Sequence, residues 1–388
     1  MLTHGSLNQE SKMKLAVYAI AKDEIKHVDR WYECVKDADE VVVLDTGSTD
    51  GTAERLAELG ARVVSTELIP FRFDTARNTA LNLVSPEMDY CMFMDLDETM
   101  PEGSIAKIRE LIEASNQMMY GVRLVFTFDA QRQPLVSYTR EAIHTRKDFY
   151  WKYPVHELLM CHEPNYSFSE LPIDVFHEPD NDKSRGSYLD LLETAVQENP
   201  NDARCVQYLG REYMYQGRYF DAIMWLKRHL EVEVHGPFRS ESARYISQCY
   251  YSMGDSLENS VDEAEAWLYR ACAEQNDARE PFCDLAYLYF ICGEYECAIG
   301  AIRSALRVES PPNVPMIRRD ELYQHWPYHM LAACYDNLGN KRQAQHNIQL
   351  AMMNAKSIDG TLAQDIAKIL GLQDVSKSIA SQEVPAPL

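Results

Sequence analysis

Residues 40–52 read EVVVLDTGSTDGT and contain the clearest fold signal in the chain. The first part is an apolar, mostly β-branched run, which is typical of a strand buried on both faces of a sheet. The run stops at Asp45, and a polar turn rich in glycine, serine and threonine follows. Ligands of open α/β sheets bind beyond the carboxyl ends of strands, so we expect a binding site beside this turn.

The neighbouring segments alternate between strand and helix in the same way. KLAVYAI precedes this stretch and ARVVSTE follows it, each separated from it by a helical pattern, and a further apolar run ends in MDLDE at residues 94–98. This alternation over residues 13–183 predicts an α/β domain with a largely parallel, Rossmann-like sheet. The polar residues 1–12 and 376–388 are predicted to be flexible termini.

Residues 184–375 lack strand signals and contain an internal repeat. Four glycines each separate two helical stretches: Gly217, Gly254, Gly293 and Gly339. A tyrosine lies four residues before each glycine, and a small residue lies seven before it. This pattern resembles the tetratricopeptide (TPR) repeat, although the glycine spacings of 37, 39 and 46 exceed the family's period of about 34. We therefore predict an all-α, TPR-like domain that presents a surface to protein partners, with an unrelated helical bundle as the alternative.

Composition excludes several classes of protein. The formal net charge of −22 opposes broad binding to nucleic acid or anionic lipid. The ten cysteines include no C-x-x-C pair, which indicates reduced thiols. No apolar stretch of the sequence approaches the roughly 18–20 residues of a membrane helix. We therefore predict a cytoplasmic protein without a membrane span.

The acids at the end of the last of these apolar runs have a spacing that suits a divalent cation. In an extended segment, Asp95 and Asp97 would point to the same side. Carboxylate oxygens are the ligands that Mg²⁺ and Mn²⁺ prefer. Acidic turns at strand ends are also common without a function. The alternative role for Asp45 is that of a turn or cap residue, which Ser48, Thr49 and Asp50 could serve equally well.

Four segments taken in order resemble the nucleotide-sugar domain of GT-A glycosyltransferases, specifically family 2. They are AIAKDE at 19–24, DTGSTDGT at 45–52, FDTARNTAL at 73–81 and MDLDE at 94–98. The resemblance implies that Asp45 binds the base or ribose of the nucleotide and that Arg77 approaches the nucleotide. It also implies that Ala21 and Glu24 line the base pocket.

The same resemblance implies a metal site. Asp95 and Asp97 match the D-x-D motif of the family, which holds Mn²⁺ or Mg²⁺ on the diphosphate of the donor. His177 resembles the C-terminal histidine that completes this site in some glycosyltransferases, and the junction after it resembles family 2 enzymes fused to TPR repeats. Lys183 or Arg185 could grip the diphosphate, although a charge at a helix start is an equally good interpretation.

The general base is less clear from the sequence. An inverting transfer needs a group that takes the proton of the acceptor, and Glu157, His156 and Glu98 are the candidates. We favour Glu157, because it follows the acidic strand end in a segment that can face the acceptor. His156 could orient the acceptor or contact the donor. A thiol acceptor would need less help from a base than a hydroxyl acceptor would.

These observations predict a metal-dependent inverting glycosyltransferase. The donor would be a nucleoside diphosphate sugar, with a UDP-sugar favoured, and the acceptor a peptide or protein side chain or a cell-surface glycan. The repeats would recruit the acceptor or form a homodimer. Two alternatives are a TPR adaptor with a non-catalytic GT-A-like domain and a sugar nucleotidyltransferase. The latter should carry a glycine-rich basic loop near its start, and AIAKDE does not match such a loop.

Overall fold

The first part of the chain is built around the strand quoted at the outset. The computed structural model describes residues 13–128, 132, 134–179, 188–312, 319–356, 358 and 360–371. The chain divides into two units, residues 1–195 and 196–388. The predicted boundary between residues 183 and 184 and the predicted flexible termini lie outside the described residues, as do Lys183 and Arg185.

The first unit contains ten strands and five helices in its described part. The strands are β1 Leu15–Ala21, β2 Glu40–Asp45, β3 Arg62–Ser65, β4 Tyr90–Phe93, β5 Glu98–Thr99, β6 Met119–Phe128, β7 Pro134–Thr145, β8 Phe149–Lys152, β9 Leu158–Cys161 and β10 Phe168–His177. The helices are α1 Ile25–Val35, α2 Thr52–Leu59, α3 Phe73–Leu83, α4 Ser104–Ser115 and α5 Tyr188–Glu198, the last of which continues past the division.

Eight of these strands form one sheet in the order β3-β2-β1-β4-β7-β6-β10-β5. The half that contains β1 to β4 is parallel, as predicted. The other half is mixed, because β7 runs antiparallel to both β4 and β6, and β5 runs antiparallel to β10. The expectation of a largely parallel sheet therefore holds only for the first half. A separate hairpin is formed by β8 and β9.

Alternate residues of the central strand pack on opposite faces of the sheet. Leu15 and Val17 belong to one buried cluster, whereas Ala16 and Tyr18 belong to the other. The interior of a strand that is covered on both faces is apolar, which is why the runs KLAVYAI and EVVVLD identify β1 and β2 in the sequence. Helices cover both faces, and the predicted α/β architecture is confirmed.

The described part of the second unit is helical. Its helices are α6 Ala203–Tyr215, α7 Tyr219–Val232, α8 Gly236–Met253, α9 Ser260–Glu274, α10 Glu280–Ile291, α11 Tyr295–Ala305, α12 Trp326–Asn337, α13 Lys341–Asn354 and α14 Gly360–Leu370. Two 3₁₀ turns, Gly254–Ser256 and Asp320–Tyr323, accompany them. None of the helices in the described ranges is long and apolar enough to cross a membrane.

The helices pack as successive pairs, α6 with α7, α8 with α9, α10 with α11 and α12 with α13. Gly217 between α6 and α7 has a φ of +73°, a conformation that favours glycine and reverses the chain. A side chain on Gly210 would collide with Leu226 of the partner helix, at 2.8 Å from its side chain. The small residues of the repeat are therefore required by close helix packing, and the predicted TPR-like architecture is confirmed.

The helix pair α8 and α9 departs from the spacing of the other repeats because its turn is longer. A 3₁₀ turn at Gly254–Ser256 follows α8 and delays the start of α9 to Ser260. Ala264 of α9 is nonetheless fully buried, as are Ala222, Ala298 and Ala344 in the other pairs. The Ser247 hydroxyl donates to the Ala264 carbonyl at 2.7 Å. The insertion thus lengthens the turn between the two helices and leaves their contact intact.

Candidate active site

The ends of β1 and β2 bring two predicted nucleotide-binding residues together. Ala21 and Asp45 are paired in register on adjacent parallel strands. The Asp45 side chain is buried, and its carboxylate accepts the backbone N–H groups of Gly47 and Ser48 at 3.3 Å. Asp45 therefore fills the turn role that the sequence left open, and it stands at the strand end where a nucleotide would bind.

The two loops that follow β1 and β2 are bonded to each other. The N–H of Asp23 donates to the Ser48 hydroxyl at 2.9 Å, and Thr49 N–H donates to the Asp23 carboxylate at 2.7 Å. The backbone N–H of Glu24 donates to the Thr52 hydroxyl at 2.8 Å. The polar residues of the turn thus position Glu24 at the start of α1, beside the same edge of the sheet.

Arg77 lies at the centre of a buried charge cluster. It is carried by α3, and its two terminal nitrogens approach the Asp95 carboxylate at 3.1 and 3.4 Å. Its Nε donates to Glu157. The guanidinium lies 3.8 Å from the centre of the Phe93 ring and 5.1 Å from that of Trp151. The structure therefore joins three predicted site residues, with Glu157 bound to Arg77.

The D-x-D segment differs from the predicted geometry. β4 ends at Phe93, and the N–H of Glu98 donates to the Asp95 carbonyl at 3.1 Å, which closes a turn. Asp95 and Asp97 are thus on a turn and not on an extended segment. Asp95 faces Arg77, whereas Asp97 faces His177. Burial raises the pKa of Asp95 to about 6, although the charge of Arg77 opposes this shift.

Strand pairing brings His177 to the D-x-D turn. β5 follows the turn directly and pairs with the end of β10, with His177 opposite Glu98. His177 Nε2 lies 3.3 Å from Asp97 Oδ2. Burial disfavours the charged imidazole, but the Asp97 carboxylate outweighs this effect and raises the pKa of His177. The neighbouring imidazole also holds the pKa of Asp97 below its usual value, against the effect of burial.

The donor set of this turn fits a hard divalent cation. Two carboxylates and an imidazole are ligands that Mn²⁺ accepts, and Asp97 and His177 are already in contact. No group of three or more His, Cys, Asp or Glu side chains is gathered for a metal anywhere in the described residues. The reason at this site is visible, because the Asp95 carboxylate is bound to Arg77.

A buried ion pair between Glu98 and Arg140, which the sequence did not reveal, stabilises the D-x-D turn. Glu98 is 1% exposed and is bound by two nitrogens of Arg140 on β7, one of them at 2.8 Å. The Glu98 carboxylate also accepts the backbone N–H of Asp95 at 3.1 Å. The Arg140 guanidinium lies 5.3 Å from the centre of the Phe93 ring, which the Arg77 guanidinium also contacts. Glu98, a candidate base by sequence, is thus committed to holding the turn.

A chain of buried hydrogen bonds lies beneath this cluster. Trp151 Nε1–H donates to the Tyr18 hydroxyl at 2.9 Å, and that hydroxyl lies 3.0 Å from His144 Nε2. His144 Nδ1 lies 2.8 Å from the Thr145 carbonyl, which assigns the proton to Nδ1. Burial lowers the pKa of His144 to about 4. The neutral imidazole fixes Tyr18 and Trp151, the latter a wall of the Arg77 site.

The two candidate catalytic residues diverge. Glu157 faces Arg77, whereas the ring centre of His156 lies 5.8 Å from that of Tyr188 on α5. His156 also has a φ of +50°, which is unusual for a residue other than glycine. The structure therefore brings Glu157 to the charge cluster and places the His156 ring beside Tyr188.

Part of the chain matches a known protein family. Residues 17–162 match the model of the family described as glycosyl transferase family 2. A TPR repeat-containing protein of Synechococcus elongatus is 27% identical over 314 residues, which cover 76% of this chain and 75% of that relative.

Solved structures also align with part of the chain. A thermophilic TPR protein of Thermus thermophilus is 21% identical, covers 48% of this chain and 91% of its own, and gives a TM-score of 0.36. The crystal structure of MamA is 18% identical and covers 43% of this chain and 85% of its own, with a TM-score of 0.34. Residues 17–162 are therefore similar to family 2 glycosyltransferases, and the helix pairs that follow them are TPR-like.

Proposed function

We propose that the first unit is a metal-dependent, inverting glycosyltransferase that uses a nucleoside diphosphate sugar, with a UDP-sugar as the favoured donor. The observation that carries this proposal is the meeting of Asp97 and His177 at 3.3 Å, on the turn that also bears Asp95. We further propose a cytoplasmic protein whose acceptor is a peptide or protein side chain or a glycan.

Asp95, Asp97 and His177 would hold Mn²⁺ or Mg²⁺ in this proposal. When bound, such a cation neutralises negative charge on the departing nucleoside diphosphate. Arg77 binds Asp95 in the present structure, so a ligand that engages Asp95 must share or replace this ion pair. Arg77 would then be able to turn its terminal nitrogens toward the diphosphate. Asp45, Ala21 and Glu24 would bind the nucleoside at the neighbouring strand ends.

The transfer itself is a single displacement. The acceptor oxygen or sulfur forms a bond to the anomeric carbon, and the bond from that carbon to the diphosphate oxygen breaks with inversion. We propose Glu157 as the group that takes the acceptor's proton. Its Oε1 is engaged by Arg77, which leaves Oε2 for the proton. His156 is the second candidate, and Glu98 is unsuitable because it is buried and bound by Arg140.

The test is nucleotide release from a panel of UDP-, GDP- and dTDP-sugars, with Mn²⁺, with Mg²⁺ and with chelator. We expect metal-dependent release from one donor, lowered by about 10³-fold or more in the Asp95→Asn/Asp97→Asn double variant. Asp174→Asn is a matched control, because Asp174 lies in the same sheet but pairs with the exposed Arg123. Unchanged release in the double variant would refute the metal site, and donor binding without any turnover would favour the adaptor.

A further inference from the structure

The second unit contains an arginine enclosed by tyrosines. Arg211 on α6 lies with its guanidinium 4.5 Å from the centre of the Tyr208 ring and 6.0 Å from that of Tyr215. Tyr245, on the neighbouring helix α8, interacts with it electrostatically, and the Tyr245 hydroxyl donates to Glu241 at 3.3 Å. Three tyrosines from two successive helix pairs therefore surround one charged group, and we call these four residues the arginine cage.

Three other partly buried arginines of this unit have carboxylate partners. Arg239 binds both oxygens of Glu274 at 2.7 and 2.8 Å. Arg244 and Arg319 both bind Asp284. Arg211 differs from them, because in the part of the chain that the structure describes it forms no ion pair with a carboxylate, and its neighbours are the three tyrosines.

An arginine in this setting has unused binding capacity. The guanidinium stays charged at every pH of interest and has five N–H donors in a planar fork. Aromatic faces compensate part of the lost hydration, by about 0.5–2 kcal/mol, but they do not accept the in-plane N–H groups. A carboxylate would accept two of these donors side by side and would supply the missing counter-charge.

The cage is open to a ligand. Tyr215 is 64% exposed, and Arg211 itself is only half-buried. The rest of the protein gives an acidic ligand no general attraction, because the net charge is −22. An acidic partner therefore needs a local cation without an internal counter-ion, and Arg211 meets this requirement. The exposed Tyr215 ring adds apolar area for the chain that carries the carboxylate.

We propose that the arginine cage is a docking site for a carboxylate of an acidic peptide segment in a protein partner. The planar carboxylate matches the guanidinium fork, and the phenol rings pack against the adjoining peptide. The site lies wholly on α6 and α8. It does not depend on glycosyl transfer by the first unit, so the two proposals can fail separately.

The experiment measures binding of a fluorescein-labelled hexaglutamate peptide to the full chain by anisotropy, with hexaglutamine as the uncharged probe. We expect saturable binding of hexaglutamate only, weakened about tenfold or more by Arg211→Met, which keeps much of the apolar stem. Arg228→Met is the matched control, because it removes the same charge from the adjacent helix α7 at a residue already paired with Glu231. This control should bind hexaglutamate within about twofold of the wild type.

Two results would overturn the proposal. One is failure of the wild-type protein to bind hexaglutamate at about 1 mM, where even a weak docking site is half-occupied. The other is equal loss of binding, or no loss, in the Arg211→Met and Arg228→Met proteins. If Arg211→Met fails to give a cooperative melting transition, Arg211→Lys replaces it. Lysine keeps the charge but loses the fork, and we expect about fivefold weaker binding.

Discussion

Arg77 and Arg211 occupy similar settings in the two units, and their partners differ. Each guanidinium lies over aromatic rings, at 3.8 Å from Phe93 for Arg77 and 4.5 Å from Tyr208 for Arg211. Arg77 is neutralised by Asp95 and Glu157, whereas Arg211 has no carboxylate among the described residues. A ligand that binds Arg77 must therefore compete with the carboxylates of Asp95 and Glu157. A ligand that binds Arg211 meets no such competitor within the described ranges and can itself supply the carboxylate.

The largest expected effect is on the stability of the first unit. Arg77→Met leaves Asp95 and Glu157 facing each other without a cation, and breaking a buried ion pair in this way costs about 3–5 kcal/mol. Arg211→Met breaks no ion pair, so we expect a change of about 1 kcal/mol or less. Hydrogen exchange followed by mass spectrometry on the full chain locates each loss in its own unit. Equal losses in the two variants would contradict the comparison.

A smaller effect is expected on acidification, and it affects both units. Burial lowers the pKa of His144 in the first unit and of His229 in the second to about 4. The unfolded chain, with a histidine pKa near 6.5, then binds more protons than the folded one between about pH 6.5 and 4. Stability therefore falls as the pH falls through this window, by about 2 kcal/mol for each histidine between pH 7 and 5.

His229→Gln tests this expectation by urea unfolding at pH 7 and pH 5. His229 Nδ1 lies within hydrogen-bond distance of the Ser242 hydroxyl, at 2.9 Å. The charged groups that act on the pKa of His229 are Glu233, which raises it, and Arg239, which lowers it. Glutamine does not titrate, so the variant should lose less stability than the wild type on going to pH 5. His346→Gln, at an exposed position, should behave like the wild type. An identical pH dependence in all three proteins would refute the prediction.

The smallest expected effect concerns the support of the D-x-D turn. Arg140→Met removes the cation that holds Glu98, whose carboxylate accepts the N–H of Asp95. Loss of such indirect support weakens metal binding by about tenfold or more, and we expect about tenfold weaker Mn²⁺-dependent donor binding by calorimetry. Arg123→Met is the control, since Arg123 pairs with Asp174 on the same sheet but is 52% exposed. Equal effects of the two variants would show that the buried pair has no special role.

The parts of the fold that sequence predicts are those with local signals. The doubly buried strand β1 and the interior of β2 are apolar, and the repeat glycines are fixed by the left-handed turn between paired helices, as at Gly217. The mixed half of the sheet has no such signal. Strands β6 and β7 combine charged and apolar residues without a simple period, because their exposure changes along their length.

The sequence identifies the residues of the candidate site, but it does not predict which of them contact each other. The chain has 60 acidic residues, and no local pattern states that Arg77 binds Glu157, which is 80 positions away. The turn at Asp95 illustrates the same limit. The spacing of Asp95 and Asp97 favours an extended segment. In the structure, however, the Glu98 carboxylate binds Arg140, which lies 42 positions later in the chain, and also accepts the backbone N–H of Asp95. Long-range pairing decides the geometry at both points.

The position of β10 has a practical consequence for dividing this protein into fragments. The family match ends at residue 162, yet β10 (Phe168–His177) lies inside the sheet, between β6 and β5. A fragment that ends at residue 162 would lack β10, so the unpaired backbone groups of β6 would form an exposed sheet edge, which promotes aggregation. It would also lose His177. Expression of the first unit by itself should therefore extend beyond residue 177, and an insoluble shorter fragment would carry no information about activity.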